Sequence, residues 1–190
     1  KAMYTNVPIK EAEKIIALDL STLHPDLHDR PRKRKAIQRL INAANKNNYF
    51  RFGSKFYHQI DGLAMGVACA PDIANIYAGH YEDTKSDGTS FRDAFLVYVR
   101  YIDDILVVLQ ANSEQDARAC LSKVDLGNLE VTWDISMTSQ VYLDLNVFRS
   151  PDEHRLRFQP FKKPLNAHLR IPWDSAHPVA LKRATFLSEL

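Results

Sequence analysis

The chain has 190 residues, 45% apolar and 25% charged, the balance of a globular domain large enough to bury its own core. Its 25 Lys and Arg against 23 Asp and Glu leave a net charge of +2, so a globally basic nucleic-acid coat is excluded and any such contact must use a local patch. Cys69 and Cys120 stand far apart without CxxC or His–Cys spacing, which argues against a disulfide scaffold or a zinc finger and leaves two reduced core thiols. No apolar run reaches membrane-spanning length, because the longest, Phe95–Leu109, is broken by Arg100, Asp103 and Asp104.

In chain order, Pro8 followed by IKEAEKIIALDL predicts a helix with Ile9, Ala12, Ile16 and Leu20 on its apolar face. After a loop at His24–Pro31, Arg32–Asn48 predicts a second helix with Ile37, Leu40, Ile41 and Ala44 inward. Its basic start, Arg32 to Lys35, reads first as a solvated helix end and second as a phosphate contact. Tyr49–Phe52 and Lys55–Gln59 alternate around Gly53-Ser54, a hairpin signal. Pro71–Glu82 predicts a helix with Ile73, Ile76, Tyr77 and His80 on one side, and Thr84–Ser90 a loop. Phe95–Arg100 and Ile105–Leu109 read as strands. Ser113 with Asp116 caps a helix expected over Ser113–Val124. Val131–Ile135, Tyr142–Phe148 and Arg155–Phe161 read as strands, the last two joined by a polar turn, and Pro178–Leu190 as a closing helix. The order predicts an α+β fold with helices packed on one face of an antiparallel sheet.

The chemistry concentrates in VRYIDDILVV (Val99–Val108), where two adjacent carboxylates sit between strongly apolar strands. Two readings fit. Asp is a good turn residue. Adjacent carboxylates at a bent hairpin tip also supply the hard oxygen ligands that Mg²⁺ prefers.

YIDD between apolar strands resembles the Y-x-D-D motif of reverse transcriptases, and its context resembles that family too. GLAMGVACAPDIAN (Gly62–Asn75) is similar to the family's template- and nucleotide-contacting motif and lies upstream, as the family requires. MYTNVPI (Met3–Ile9) looks like the end of its first palm motif, and LEVTWDIS and VYLDLNVF like its later palm strands and primer-grip hairpin. FKKPLNAHLRIPWDSAHP (Phe161–Pro178), with TNVP and the A-M-G variant, favours the Penelope-like retroelement branch.

The resemblance implies a polymerase palm over 1–150 with interspersed fingers-type helices, and a primer-grip to thumb junction over 151–190. The remaining fingers and thumb of the parent chain are expected elsewhere. It implies Asp103 and Asp104 as catalytic metal ligands for two Mg²⁺ ions, or Mn²⁺. Tyr4 falls at the ribose gate that rejects a 2′-hydroxyl, although by itself it reads as a core aromatic beside a helix start. Gly62 and Gly66 would let the backbone approach a base pair. Met65, in place of the commoner Gln, packs without offering amide hydrogen bonds. Tyr101 would support the hairpin near the primer end, Pro71 would start a helix and Asn75 would pin it. Tyr142, Leu143 and Asp144 fall in the primer grip. Lys162, Lys163, Arg170 and Trp173 could touch a primer–template backbone. His177-Pro178 is a family marker without an evident chemical role.

The implied function is RNA-directed DNA polymerisation, with an RNA template, a DNA primer and deoxynucleoside triphosphates as partners, no membrane, and an intracellular setting. The family's third metal-binding Asp falls ahead of Lys1, so the 190 residues alone are expected to be inactive or nearly so. Two rivals stand beside this reading. One is a palm-like scaffold that binds RNA or protein without chemistry, which the retained Asp103 and Asp104 oppose. The other is an RNA-templated RNA polymerase, which Tyr4 and Tyr101 oppose.

Overall fold

The structure, a computed structural model, describes residues 3–22, 31–83, 91–150, 155–163 and 171–187. The expected loops at 24–30 and 84–90, the turn at 151–154 and Arg170 lie outside the described residues. The chain forms two compact units, Lys1–Met137 and Thr138–Leu190. A boundary at 150 would cut a continuous three-stranded sheet, which is why the division falls earlier.

In the first unit, α1 (Met3–Asn6) and α2 (Ile9–Thr22) meet at Pro8, whose carbonyl accepts from the amides of Glu11 and Ala12. Ala12, Ile15 and Ile16 are buried and Ile9 half-buried; Ile15 joins the expected face. Helix α3 (Pro31–Lys46) corrects the expected packing, because Leu40 is 70% exposed and Ala44 is exposed too. Ile37 and Ile41, expected on the same face, are half-buried. Ile41 packs on the core, and Asn42 donates from Nδ2 to Glu13 Oε1 at 2.6 Å. Leu40 sits one residue round the helix from Ile41. The hairpin of β1 (Tyr49–Phe52) and β2 (Lys55–His58) forms in the expected register, with Gly53 at φ 62° in its turn.

Helix α4 (Ala70–Asp83) is the centre of the unit. It buries Ile73, Ala74, Tyr77, Ala78 and Glu82, while Ile76 and His80 are only half-buried. Its Tyr77 and Tyr81 hydroxyls both bond the Glu11 carboxylate of α2, and Tyr77 Oη also accepts from the Asn128 amide. A 3₁₀ turn (Phe91–Ala94) leads into β3 (Val97–Tyr101), which pairs with β4 (Asp104–Val108). Ser113 caps α5 (Glu114–Leu121), its side chain accepting from the Asp116 amide. Cys69 and Cys120 are free thiols, both half-buried.

No strand forms over Val131–Ile135; the expected alternation is there but meets no partner strand among the described residues. Val131, Trp133 and Ile135 pack against the cluster of Phe91, Phe95, Leu121 and Leu126, and Thr132 and Asp134 face outward.

In the second unit, β5 (Ser139–Tyr142), β6 (Leu145–Arg149) and β7 (Leu156–Pro160) form an antiparallel meander, followed by α6 (Val179–Leu187). The single strand expected over Tyr142–Phe148 is therefore two strands with a turn at Leu143-Asp144. Among the described residues the strands make three separate antiparallel sheets, of two, two and three strands, rather than one. No helix among them is long and apolar enough to cross a membrane.

Candidate active site

The carboxylate pair sits on a two-residue hairpin turn. Tyr101 pairs with Asp104 as the last rung of the ladder, and Ile102 and Asp103 form the tip. Ile102 takes φ 55°, a conformation that a β-branched residue adopts only at a cost in strain. Its side chain nevertheless packs against the main core cluster, which anchors the tip. Asp103, Asp104 and Tyr101 are solvent-exposed.

The tip is also held from below. Arg100 Nη1 donates to the Ile102 carbonyl at 3.1 Å and to Asn75 Oδ1 at 2.8 Å. Its Nε and Nη2 donate to Glu82 Oε1 and Oε2 at 2.6 and 3.1 Å, a two-pronged pair whose side chains are 9% and 3% exposed. Tyr98 Oη (2.8 Å) and Arg92 Nη2 (3.3 Å) also donate to Glu82. Burial, and then the hydrogen bond to Glu82, raise the Tyr98 phenol well above the usual tyrosine range.

A second group of site residues surrounds a cavity of about 320 Å³, lined by Tyr4, Met65, Gly66, Val67, Ala68, Ala70 and Pro71. Its lining is apolar apart from the Tyr4 phenol. The volume lies at the small end for ligand sites. The fold brings Tyr4 here from some sixty positions away by a backbone bond, Leu63 N–H to the Tyr4 carbonyl, at 2.7 Å. Gly62 makes this closeness possible. It takes φ 80°, and a Cβ there would lie 2.6 Å from the Thr5 carbonyl oxygen. Asp61 fastens the same junction, its Oδ1 accepting from the amides of Ile9 (3.2 Å) and Gly62 (2.9 Å). Gly66 takes φ 93° with open space around it, and Met65 is 77% exposed at the rim. Pro71 stands in the first turn of α4, and Asn75 one turn further on.

The remaining candidates belong to the second unit. Tyr142 and Leu145 close the β5–β6 ladder around Leu143 and Asp144. Leu143 takes φ 54°, so YIDD and YLDL make hairpin tips of the same kind, an aliphatic residue at positive φ followed by Asp. The second tip is braced by the Phe161 amide, which donates to the Asp144 carbonyl at 2.7 Å. Lys162 and Lys163 are exposed. Trp173 is exposed, with the Lys182 ammonium over its ring at 5.7 Å. His177 Nδ1 lies 3.2 Å from Ser175 Oγ.

Asp103 and Asp104 suit a hard divalent cation in kind, being exposed carboxylates on one fixed turn. Among the described residues no group of three or more His, Cys, Asp or Glu could hold a metal ion, so the pair is a partial donor set.

Arg100, Glu82 and Asp61 are site residues that the motifs do not mark. A charge inside an apolar pattern signals the first two: Arg100 ends the run FLVYV, and Glu82 follows Ile73, Ala74, Tyr77 and Ala78 on the buried face of α4. Asp61 carries no comparable signal.

The chain is similar to the telomerase reverse transcriptase of Oryza sativa subsp. japonica, 27% identical over 85 residues. The match covers 40% of this chain and 7% of the relative. No family model and no solved structure matches. The similarity supports a partial reverse-transcriptase-like relationship.

Proposed function

We propose that the chain is the palm core of an RNA-directed DNA polymerase of the Penelope-like kind, which adds deoxynucleotides to a DNA primer on an RNA template. One observation carries the reading. Tyr4, Met65, Gly66 and Pro71 line one cavity, and Ile102 of the YIDD tip packs against the same core cluster as Tyr4. The recess and the carboxylate pair thus rest on one core cluster.

In this reading the primer 3′-hydroxyl attacks the α-phosphate in line, forming the phosphodiester bond and releasing pyrophosphate. Divalent cations held by Asp103 and Asp104 would acidify the hydroxyl and neutralise the developing charge. The residues of the chain bind and orient. The Tyr4 ring fills the space that a 2′-hydroxyl would need. Gly66 keeps the recess open to a base pair, and Met65 packs on it without imposing hydrogen bonds. Asn75 and Arg100 hold the hairpin tip. Tyr142, Leu143 and Asp144 take the primer-grip role, and Lys162 and Lys163 supply backbone charge.

The test is the ratio of deoxynucleotide to ribonucleotide incorporation by the intact protein and its Tyr4→Ala variant. The ratio should fall by about tenfold or more in the variant, the effect of removing a steric block worth on the order of 1–3 kcal/mol. An unchanged ratio would remove Tyr4 from the site. A palm-like scaffold without chemistry is the rival reading. It predicts no incorporation by the intact protein at all.

A further inference from the structure

We propose that α3 and the β1–β2 hairpin together form a docking surface for an unpaired RNA strand, with phosphates along α3 and bases stacked on the hairpin; only the choice of RNA over DNA rests on the reading above, which uses an RNA template. Charge is the first observation. Residues 31–60 hold eight Lys and Arg and no Asp or Glu, which leaves 17 basic against 23 acidic residues in the rest of the chain. The near-neutral total therefore hides one strongly cationic segment within an acidic remainder. Its cations are also ordered. At about 100° per residue, Arg32, Lys35, Arg39 and Lys46 fall within an arc of about 60° on α3, and all four are exposed. The stripe runs for about 21 Å at the rise of an α-helix. Arg32 and Lys35 stand at the helix start, where positive charge opposes the dipole and an anionic backbone offsets that cost.

The second observation is independent of charge. Every residue of β1 and β2 is exposed, and five of the eight are Phe or Tyr. Phe52 and Phe56 are 76% and 75% exposed, so the hairpin's own stability does not account for its rings. Phe50 and Tyr57 stack across the ladder, with centroids 5.5 Å apart and planes at 17°. Phe52 and Lys55 form the rung two places on and so share that face. Flat rings beside a cation are the combination that holds the bases and backbone of a single strand without regard to sequence. A duplex offers charge but no free base faces, and an apolar protein patch offers no partner for the cations; an unpaired strand uses both. The two parts are tied together. His58 Nε2 lies 2.7 Å from the Lys46 carbonyl oxygen, and the Gln59 amide donates to the Asn48 carbonyl at 2.9 Å. Gln59 Nε2 donates to the carbonyls of Asp61 and Gly62, both at 3.0 Å. Stripe, hairpin and the loop that carries Met65 and Gly66 to the cavity are thus fastened in that order.

The experiment is fluorescence anisotropy of a labelled oligouridine with the purified protein, without nucleotides or divalent cations, across a series of salt concentrations. The variants are Phe52→Ala, Arg39→Gln and, as a control, Phe158→Ala, which removes a similarly exposed ring from the second unit. Phe52→Ala should weaken binding about fivefold or more, the loss of one stacked base, with the salt dependence unchanged. Arg39→Gln should reduce the slope of log affinity against log salt by about 0.7, the loss of one phosphate contact on a single strand. Phe158→Ala should bind like the unsubstituted protein. All three side chains are exposed, so thermal midpoints measured in parallel should stay level, and affinity that falls at a constant midpoint excludes misfolding. No binding of oligouridine, or binding that neither Phe52→Ala nor Arg39→Gln alters, would overturn the surface. Equal affinity for duplex RNA of the same length would overturn the stacking role of the hairpin. Binding to phosphatidylserine vesicles that is tighter than to oligouridine and lost in Phe52→Ala would make the occupant a membrane and overturn the proposal. Oligouridine binding of the expected pattern by a protein that extends no primer would sink the polymerase reading and leave this surface standing.

Discussion

Replacing Gly62 by alanine should cost far more stability than replacing Gly66, although both glycines belong to the same motif and both have positive φ. The shared penalty is conformational. A Cβ in the left-handed region costs roughly 1–2 kcal/mol, and Gly66, with no atom within 4 Å of an added Cβ, should lose about that much. Gly62 adds a collision. Its Cβ would lie 2.6 Å from the Thr5 carbonyl oxygen and 2.9 Å from both the carbonyl carbon and the Cα of Thr5. All three are backbone atoms, so no rotamer change relieves the contact. The chain must instead part α1 from the 62–66 loop, straining the Leu63-to-Tyr4 bond and the wholly buried Leu63 side chain. Such overpacking costs about 1–3 kcal/mol more. The assay is urea denaturation followed by far-ultraviolet circular dichroism, comparing Gly62→Ala and Gly66→Ala with the unsubstituted chain. Equal losses for the two variants would refute the close approach of Gly62 to Thr5, and with it the means by which Tyr4 is brought to the cavity.

Three further expectations follow from the same physical reasoning. Glu82→Ala leaves the Arg100 guanidinium buried without its carboxylate and should cost about 3–5 kcal/mol in a denaturant titration, whereas Ser113→Ala, which removes one helix cap, should cost about 1 kcal/mol. The phenols of Tyr77, Tyr81 and Tyr98 are all raised from 10.0: Tyr77 and Tyr98 chiefly by burial, Tyr81 chiefly by its bond to Glu11. Their stabilisation is complete below that value, where both folded and unfolded chains keep the proton, and is lost as the pH climbs above it and only the unfolded chain ionises. An absorbance titration at alkaline pH should therefore show Tyr77, Tyr81 and Tyr98 ionising late, together with a falling denaturation midpoint, and Tyr98→Phe should make that fall shallower.

The sequence signals that held are those whose cause is local. The β1–β2 and β3–β4 turns, the Ser113 cap and the start of α4 depend on neighbours within a few positions, and each formed where expected. Two of the failures arise where a distant partner decides. Val131–Ile135 alternates like a strand, but Val131, Trp133 and Ile135 pack on side chains and pair with no strand among the described residues. Leu40 reads as a core residue by period, yet the contact edge of α3 runs through Ile41 and Asn42. In YLDLNVF the turn hid inside an apolar run, because Leu143 carries a positive φ without being Gly or Asn. The candidate site divides in the same way. Its motif residues are those that the family resemblance implies, but the cavity that joins Tyr4 to Met65 depends on the Tyr4–Leu63 backbone bond. The Glu82–Arg100 pair likewise depends on α4 and β3 lying side by side.

Whether Asp103 and Asp104 serve template-directed DNA synthesis is decided by RNA-templated primer extension with the intact protein, with and without Asp103→Asn. Divalent-cation-dependent addition of deoxynucleotides is expected, lowered by the substitution about 100-fold to 1,000-fold, the scale on which removal of a group that stabilises transition-state charge is felt. Extension that survives Asp103→Asn at full rate, or no extension by the unsubstituted protein, would contradict it.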